Sequence, residues 1–190
     1  MLVINDEKFI ERAEIIREKG TNRSKFFGGE IDKYEWMDIG SSFLPSEITA
    51  AFLFAQVENI DSIQSKRKGI WETYYQLLKP LEDRGFINLP RLPPGSSNNG
   101  HLFYILCKTE EERNTLIAAL KAQNIQAVFH YLPLHQSPYY TKKHDGRTLA
   151  NCDKFAACLL RLPFYTELNT NAIERIYHTM INQYELMRNA

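Results

Sequence analysis

The run His130-Tyr131-Leu132-Pro133-Leu134-His135 brings two imidazoles and a phenol close together in the chain. It follows directly on Ile125–Phe129 (IQAVF), which reads as a strand. Polar groups just beyond the carboxyl end of an α/β strand are where ligands commonly bind. Imidazole and phenol groups hydrogen-bond a polyhydroxylated ligand, and their ring faces stack on it. A zinc reading needs a third ligand, for instance His144. His130 and His135 do not share a helical face, and Pro133 bars a helix between them, so no metal is assigned. The same run also reads as a structural loop with incidental histidines.

A second group of interest is Gly40-Ser41-Ser42, ahead of a helix opened by Ser46. Hydroxyls and backbone N–H groups there suit a phosphate, although capping alone explains at least one serine. Asn98, Asn99 and His101 precede another strand and read best as turn residues. Arg12, Arg17 and Arg23 read as a solvated face. The sequence has no P-loop, no dinucleotide fingerprint and no G-x-S-x-G elbow. Cys107, Cys152 and Cys158 form no C-x-x-C pair, which fits reduced thiols in a cytoplasmic protein.

The elements that must position these groups follow from periodicity. Leu2-Val3-Ile4 reads as a short buried strand, as if the chain were entered in mid-fold. Asp6 then caps a helix carrying Phe9, Ile10, Ala13 and Ile16, with Gly20 as its C-cap. Residues 21–45 are loop-like. One long helix is expected from Ile48 to about Leu78, unless it breaks near Gly69, with Pro80 and Gly85 closing it. Its first half, ITAAFLFAQV, is apolar nearly all round, which requires cover on several sides. Its second half is amphipathic. His101–Cys107 reads as a strand, Thr109 and Glu112 as a capping box for a helix to about Gln123, and Ile125–Phe129 as a second strand. The strand, helix, strand order predicts an α/β sandwich, with a right-handed crossover if the strands are parallel neighbours. Two helices are expected after these, over Leu149–Leu160 and beyond Asn169.

Composition bounds the function. The chain has 190 residues, 44% apolar, with 23 basic and 23 acidic side chains. That is globular, and the balanced charge argues against a sequence-independent grip on nucleic acid. The opening MLVINDEKF has no signal-peptide pattern. The longest strongly apolar stretch, Ala50–Ala55, is far short of the ~20 residues of a membrane span.

Taken in order, INDEKFIERAEIIREKGTNRS, DIGSSFLPSEITAAFLFAQVE, VFHYLPLHQSPYY and LLRLPFY resemble the DegT/DnrJ-type sugar aminotransferases of fold-type I. The match within that family is to transaminases that aminate a dTDP-4-keto-6-deoxyglucose. It runs through essentially all of the chain. The resemblance implies an α/β fold: the C-terminal portion of such an enzyme. Residues 1–58 would be the tail of the large cofactor domain and the start of a linking helix, and 59–190 the small C-terminal α/β domain. It implies pyridoxal 5′-phosphate as cofactor, a dTDP-sugar and an amino-acid donor (glutamate) as substrates, and a homodimer with the active site between subunits. The setting it implies is surface-polysaccharide (lipopolysaccharide) biosynthesis.

In the family the Schiff-base lysine precedes the segment matching Leu2–Asp6. No catalytic residue is therefore assigned to this chain, and neither Lys8 nor Lys19 is promoted to that role. The resemblance implies a chain that is catalytically incomplete alone and does not hold the cofactor as a Schiff base. The alternative is a non-catalytic module that pairs with a separately encoded N-terminal half. The family's G-x-N-x-R stretch reads here as Gly40, Ser41, Ser42, Phe43, Leu44, so Ser42 takes the cofactor-phosphate position. His130, Tyr131 and His135 match the family's H-Y-x-P-L-H segment near the sugar nucleotide and are expected to contact substrate.

Overall fold

A computed structural model describes residues 2–189. The chain separates into two compact units, one ending at Asn59 and the other starting at Ile60.

In the first unit Asp6 caps a 3₁₀ turn, Glu7–Phe9, by accepting from Lys8 N, and α1 (Ile10–Arg17) continues it. Helix α1 stops because the chain turns left-handed at Lys19 and Gly20, and Gly20 N reaches back to Ile15 O at 2.8 Å. A short α2 (Arg23–Phe27) lies inside the expected loop. The expected strand at Leu2–Ile4 does not form. Among the described residues no other strand of the unit offers it a ladder, and Leu2 is 75% exposed. Ser46 caps α3 (Glu47–Glu58) through Thr49 N, as its position predicts.

The long helix expected from Ile48 breaks at Asn59, not at Gly69. Asn59 donates from its side chain to Ala55 O at 2.9 Å, satisfying a C-terminal carbonyl of α3. Helix α4 (Ile60–Asp83) then starts the second unit. It runs past Pro80, which lies in its last turn, and ends in the left-handed Gly85 with Phe86 N bonded to Leu81 O. Its buried residues, Ile70, Trp71, Tyr74, Leu78 and Leu81, lie at helical spacing on one face.

The rest of the unit holds β1 (Phe103–Leu106), α5 (Glu110–Ala122), β2 (Val128–Phe129), α6 (Ala150–Cys158), β3 (Leu159–Leu162) and α7 (Thr170–Asn189). Thr109 caps α5 through Glu112 N, and Asn169 caps α7 through Ala172 N. The sheet order is β1-β3-β2, and both outer strands are antiparallel to β3. The two expected strands are therefore not neighbours, because β3 stands between them. Residues 159–160, expected to end a helix, belong to that central strand.

Register sorts the sheet into two faces. Phe103, Ile105, Leu160 and Leu162 face the core and are almost wholly buried with Tyr74, Leu78, Leu116, Leu120, Ile173 and Met180. Each such side chain contributes about 1.5–3 kcal/mol by leaving water. Tyr74 stacks on Phe103 with ring centroids 4.9 Å apart and donates to Pro163 O at 2.8 Å. That satisfied hydroxyl is why a phenol can sit at the centre of the core. Tyr104, Arg161 and Val128 lie in register on the opposite, half-exposed face. Among the described residues no helix is long and apolar enough to cross a membrane.

Candidate functional site

The residues singled out by sequence fall in different units: Ser42 in the first, and His130, Tyr131 and His135 in the second.

Ser42 sits on a short segment laid against the end of α1. Ser41 N donates to Ile16 O at 2.9 Å, Phe43 N donates to Arg17 O at 3.2 Å, and Ser42 bridges Glu18 in antiparallel fashion. The open carbonyls of α1 are thus satisfied by the serine segment. Gly40 makes the approach possible, since a Cβ there would lie 2.2 Å from Gly20 N. The backbone N–H groups of Ser41 and Phe43 are consequently spent inside the protein. The Ser42 hydroxyl is exposed and makes no side-chain hydrogen bond among the described residues, so it is a donor this segment can offer a phosphate.

His130 follows β2 and lies on the same face as Arg161 of β3. An Arg161 Nη lies 3.2 Å from His130 Nδ1. Guanidinium only donates, so Nδ1 must be the acceptor and the imidazole proton must reside on Nε2. Burial first, then the charge of Arg161 and the neighbouring His101, pushes the His130 pKa below its ordinary value and keeps the ring neutral near pH 7. Tyr131 packs against it at 4.5 Å between ring centroids and is itself 74% exposed. Its φ of 55° is left-handed, a strain of order 1–3 kcal/mol that non-glycine residues carry mainly at functional turns.

His135 belongs to a different cluster. It lies in the 3₁₀ turn Leu134–Gln136, with Nε2 2.9 Å from Asp153 Oδ1 of α6 and its ring 5.3 Å from that of His144. Gln136 donates to the same carboxylate oxygen at 2.8 Å. His144 Nδ1 accepts from Gly146 N, which puts its proton on a buried Nε2 that has no hydrogen-bond partner among the described residues, the Asp145 carboxylate lying 3.7 Å away. The structure therefore brings His130 and Tyr131 together and turns His135 toward Asp153. No group of three metal-ligating side chains assembles among the described residues.

Arg161 is the residue that sequence reading missed, because the helix expected over Leu149–Leu160 hides the strand that carries it. The apolar run closed by Pro163 was the available signal for a strand.

Pyridoxal phosphate needs a cradle of phosphate donors and an amine of lowered pKa. At that position the first unit offers the Ser42 hydroxyl, with the exposed Ser41 hydroxyl beside it in the chain. Its Lys8 is paired with Asp6 at 2.7 Å, and hydrogen bonding and attraction to Glu11 raise the Lys25 pKa, which opposes attack on a carbonyl. This donor set does not fit retention of the cofactor by these residues alone, and no chemical step is assigned to them through it.

The family model described as the DegT/DnrJ/EryC1/StrS aminotransferase family matches residues 1–181. UDP-4-amino-4,6-dideoxy-N-acetyl-beta-L-altrosamine transaminase of Helicobacter pylori is 26% identical over 186 residues, which is 97% of this chain and 48% of that protein. The solved structure of Helicobacter pylori PseC, an aminotransferase involved in the biosynthesis of pseudoaminic acid, superimposes with a TM-score of 0.82 at 24% identity, covering 96% of this chain and 48% of that one. S. venezuelae DesV, solved in complex with a ketimine intermediate, gives 0.80 at 26% identity, covering 95% and 45%. The chain spans about half the length of the curated relative it matches. Its mixed α/β fold is that of the corresponding part of these enzymes.

Proposed function

The chain belongs to the DegT/DnrJ/EryC1/StrS aminotransferase family, and from that premise we propose that it is the C-terminal part of a nucleotide-sugar aminotransferase. In this reading the first unit is the tail of the large cofactor domain and the second is the small domain. The observation that carries it is a family match running unbroken through both units. The substrate is a dTDP-4-keto-6-deoxyhexose and the amino donor glutamate, in surface-polysaccharide biosynthesis in the cytoplasm. The nucleotide-sugar class is supported by the transaminase relative, and the dTDP assignment by the resemblance that the four quoted segments carry together.

His130 and Tyr131 form the substrate-contacting part. The neutral imidazole donates through Nε2, and the exposed phenol offers a face and a hydroxyl to a sugar nucleotide. His135 contributes through the turn it anchors on Asp153. Ser42 donates one hydrogen bond to the cofactor phosphate. When bound, pyridoxal phosphate supplies the electron sink for amino transfer. The lysine that holds it comes from a part of the enzyme beyond these residues.

The exposed apolar helix α3 favours a second polypeptide surface against it, from a second copy in a homodimer or a separately supplied N-terminal half. Borohydride reduction of the 190-residue chain with pyridoxal phosphate, followed by peptide mapping, tests the assignment. The expected result is scattered, substoichiometric lysine labelling and no amino transfer from glutamate to the keto sugar. One lysine labelled at full yield would sink it, by placing a complete cofactor site within this chain.

A further inference from the structure

The open face of the sheet carries a guanidinium that has no counter-ion among the described residues. Arg161, at the centre of β3, stands in register with Tyr104 on one side and Val128 on the other. It is half-buried, and its one hydrogen bond to a side chain among the described residues is to a neutral imidazole. It makes no ion pair with any described carboxylate. The fork of Arg has five N–H donors, so most of its capacity is unspent.

A second cation holds the turn that leads into β1. Arg67 of α4 donates to the carbonyls of Gly100 and His101 and is likewise outside any ion pair among the described residues. This grip fixes the turn that presents His101, whose Nδ1 meets Asn99 Oδ1 at 2.9 Å. Gly100, at φ 56°, fits against the Arg67 backbone, where a Cβ would come within 3.1 Å. His101 lies close enough to His130 to act on its charge. Arg161 therefore stands on this face beside a neutral imidazole, with no carboxylate paired to it among the described residues. Withdrawing a guanidinium from water without a partner is costly, and a planar two-oxygen acceptor is what its fork matches.

We propose that Arg161 is the oxyanion-binding residue of this site, taking a phosphoryl or carboxylate group through its free N–H donors, with His130 Nε2–H as the second donor. The proposal rests on and deepens the nucleotide-sugar reading. The exposed Tyr131 ring beside the pair supplies the stacking face that a sugar or base attached to the anion would use. Arg161 reaches the ligand directly, and His130 both orients it and donates beside it. The shared chemistry is the oxyanion. Its two sources are the diphosphate of the sugar nucleotide and the carboxylate of the amino donor.

The test is a titration of the ¹⁵N-labelled chain at fixed ionic strength with pyrophosphate, dTDP and L-glutamate, following the Arg161 Nε–H and His130 signals. The expected result is saturable movement of both signals. Arg161→Lys, which keeps the charge and loses the fork, weakens binding by about tenfold. Arg161→Ala removes it, and Lys121→Ala, at an exposed position of α5, leaves it unchanged. Amide dispersion reports folding, and Arg161→Lys carries the comparison if the alanine variant does not fold. Preference for dTDP or for glutamate identifies the source. Arg161 signals that no anion moves, or equal binding by wild type and Arg161→Lys, would overturn the proposal. If dTDP shifts Tyr131 equally in both proteins, the nucleotide-sugar reading stands and the role of Arg161 falls. If pyrophosphate binds through Arg161 while dTDP binds no better, the oxyanion site stands and the nucleotide-sugar reading fails.

Discussion

At the scale of single residues the informative contact is Arg161 against His130. A guanidinium facing Nδ1 fixes the tautomer and opposes a second proton on the ring. Burial acts in the same direction. The linkage sign follows from a folded-state pKa below the ordinary value near 6.5. The unfolded chain takes up the proton first as pH falls. This group's contribution to stability is therefore intact above the unfolded value and is lost as pH falls through the folded midpoint. NMR titration of the ring is expected to show a midpoint below that of a free histidine. Arg161→Ala is expected to move it upward, toward the ordinary value, without abolishing the part due to burial. An unchanged midpoint in that variant would mean the guanidinium does not act on the ring. His130 and Tyr131 were legible in the sequence because their types and adjacency to a strand announce a site. Arg161 was not. Its role depends on pairing with strands distant in sequence, and a lone arginine among leucines carries no local sign of that.

At the scale of elements, the local hydrogen-bond devices were readable and the long-range ones were not. Asp6, Ser46 and Thr109 each accept from a backbone N–H two or three residues on, so their capping follows from residue type and position. The break at Asn59, the strand at Leu159–Leu162 and the absence of a strand at Leu2–Ile4 depend on which partners are in reach. The serine segment shows how tightly such a partner can be specified. Gly20 and Gly40 let two stretches of backbone meet. A Cβ on Gly20 would lie 1.8 Å from Asp38 O, and one on Gly40 would crowd both Gly20 and Ile16 O. Gly40→Ala must therefore push the segment off the end of α1 and free the carbonyls it covers. Overpacking of this kind costs about 1–3 kcal/mol. Hydrogen exchange is expected to lose protection at Ser41 and Phe43 in that variant, with α5 and α7 unaffected. Retained protection at those two amides would show that the segment is not held by the glycine contact.

At the scale of the whole molecule the two units differ in how they hide apolar surface. The second closes a core in which ten large side chains are less than 2% exposed. In the first, the described residues include no fully apolar core residue, and its buried positions are Glu18 and Gly20. Helix α3 makes the contrast sharpest. Ile48, Phe52, Leu53, Phe54 and Val57 are each more than half exposed, and they point around most of the helix circumference. A patch of that size on one helix is a surface built to be covered. Covering each side chain is worth about 1.5–3 kcal/mol, enough in sum to hold a second polypeptide against entropy. The 190-residue chain is therefore expected to self-associate through α3. Light scattering after size exclusion should show a mass above that of the monomer. Phe52→Glu combined with Phe54→Glu should return it to the monomer, because two carboxylates cannot be buried there without partners. The second unit should melt at the same temperature in both proteins, since its core contains neither position. A wild-type chain that stays monomeric at the concentrations used for NMR would remove the case for a homodimer through this helix. The separately supplied half would then be the remaining candidate to cover it.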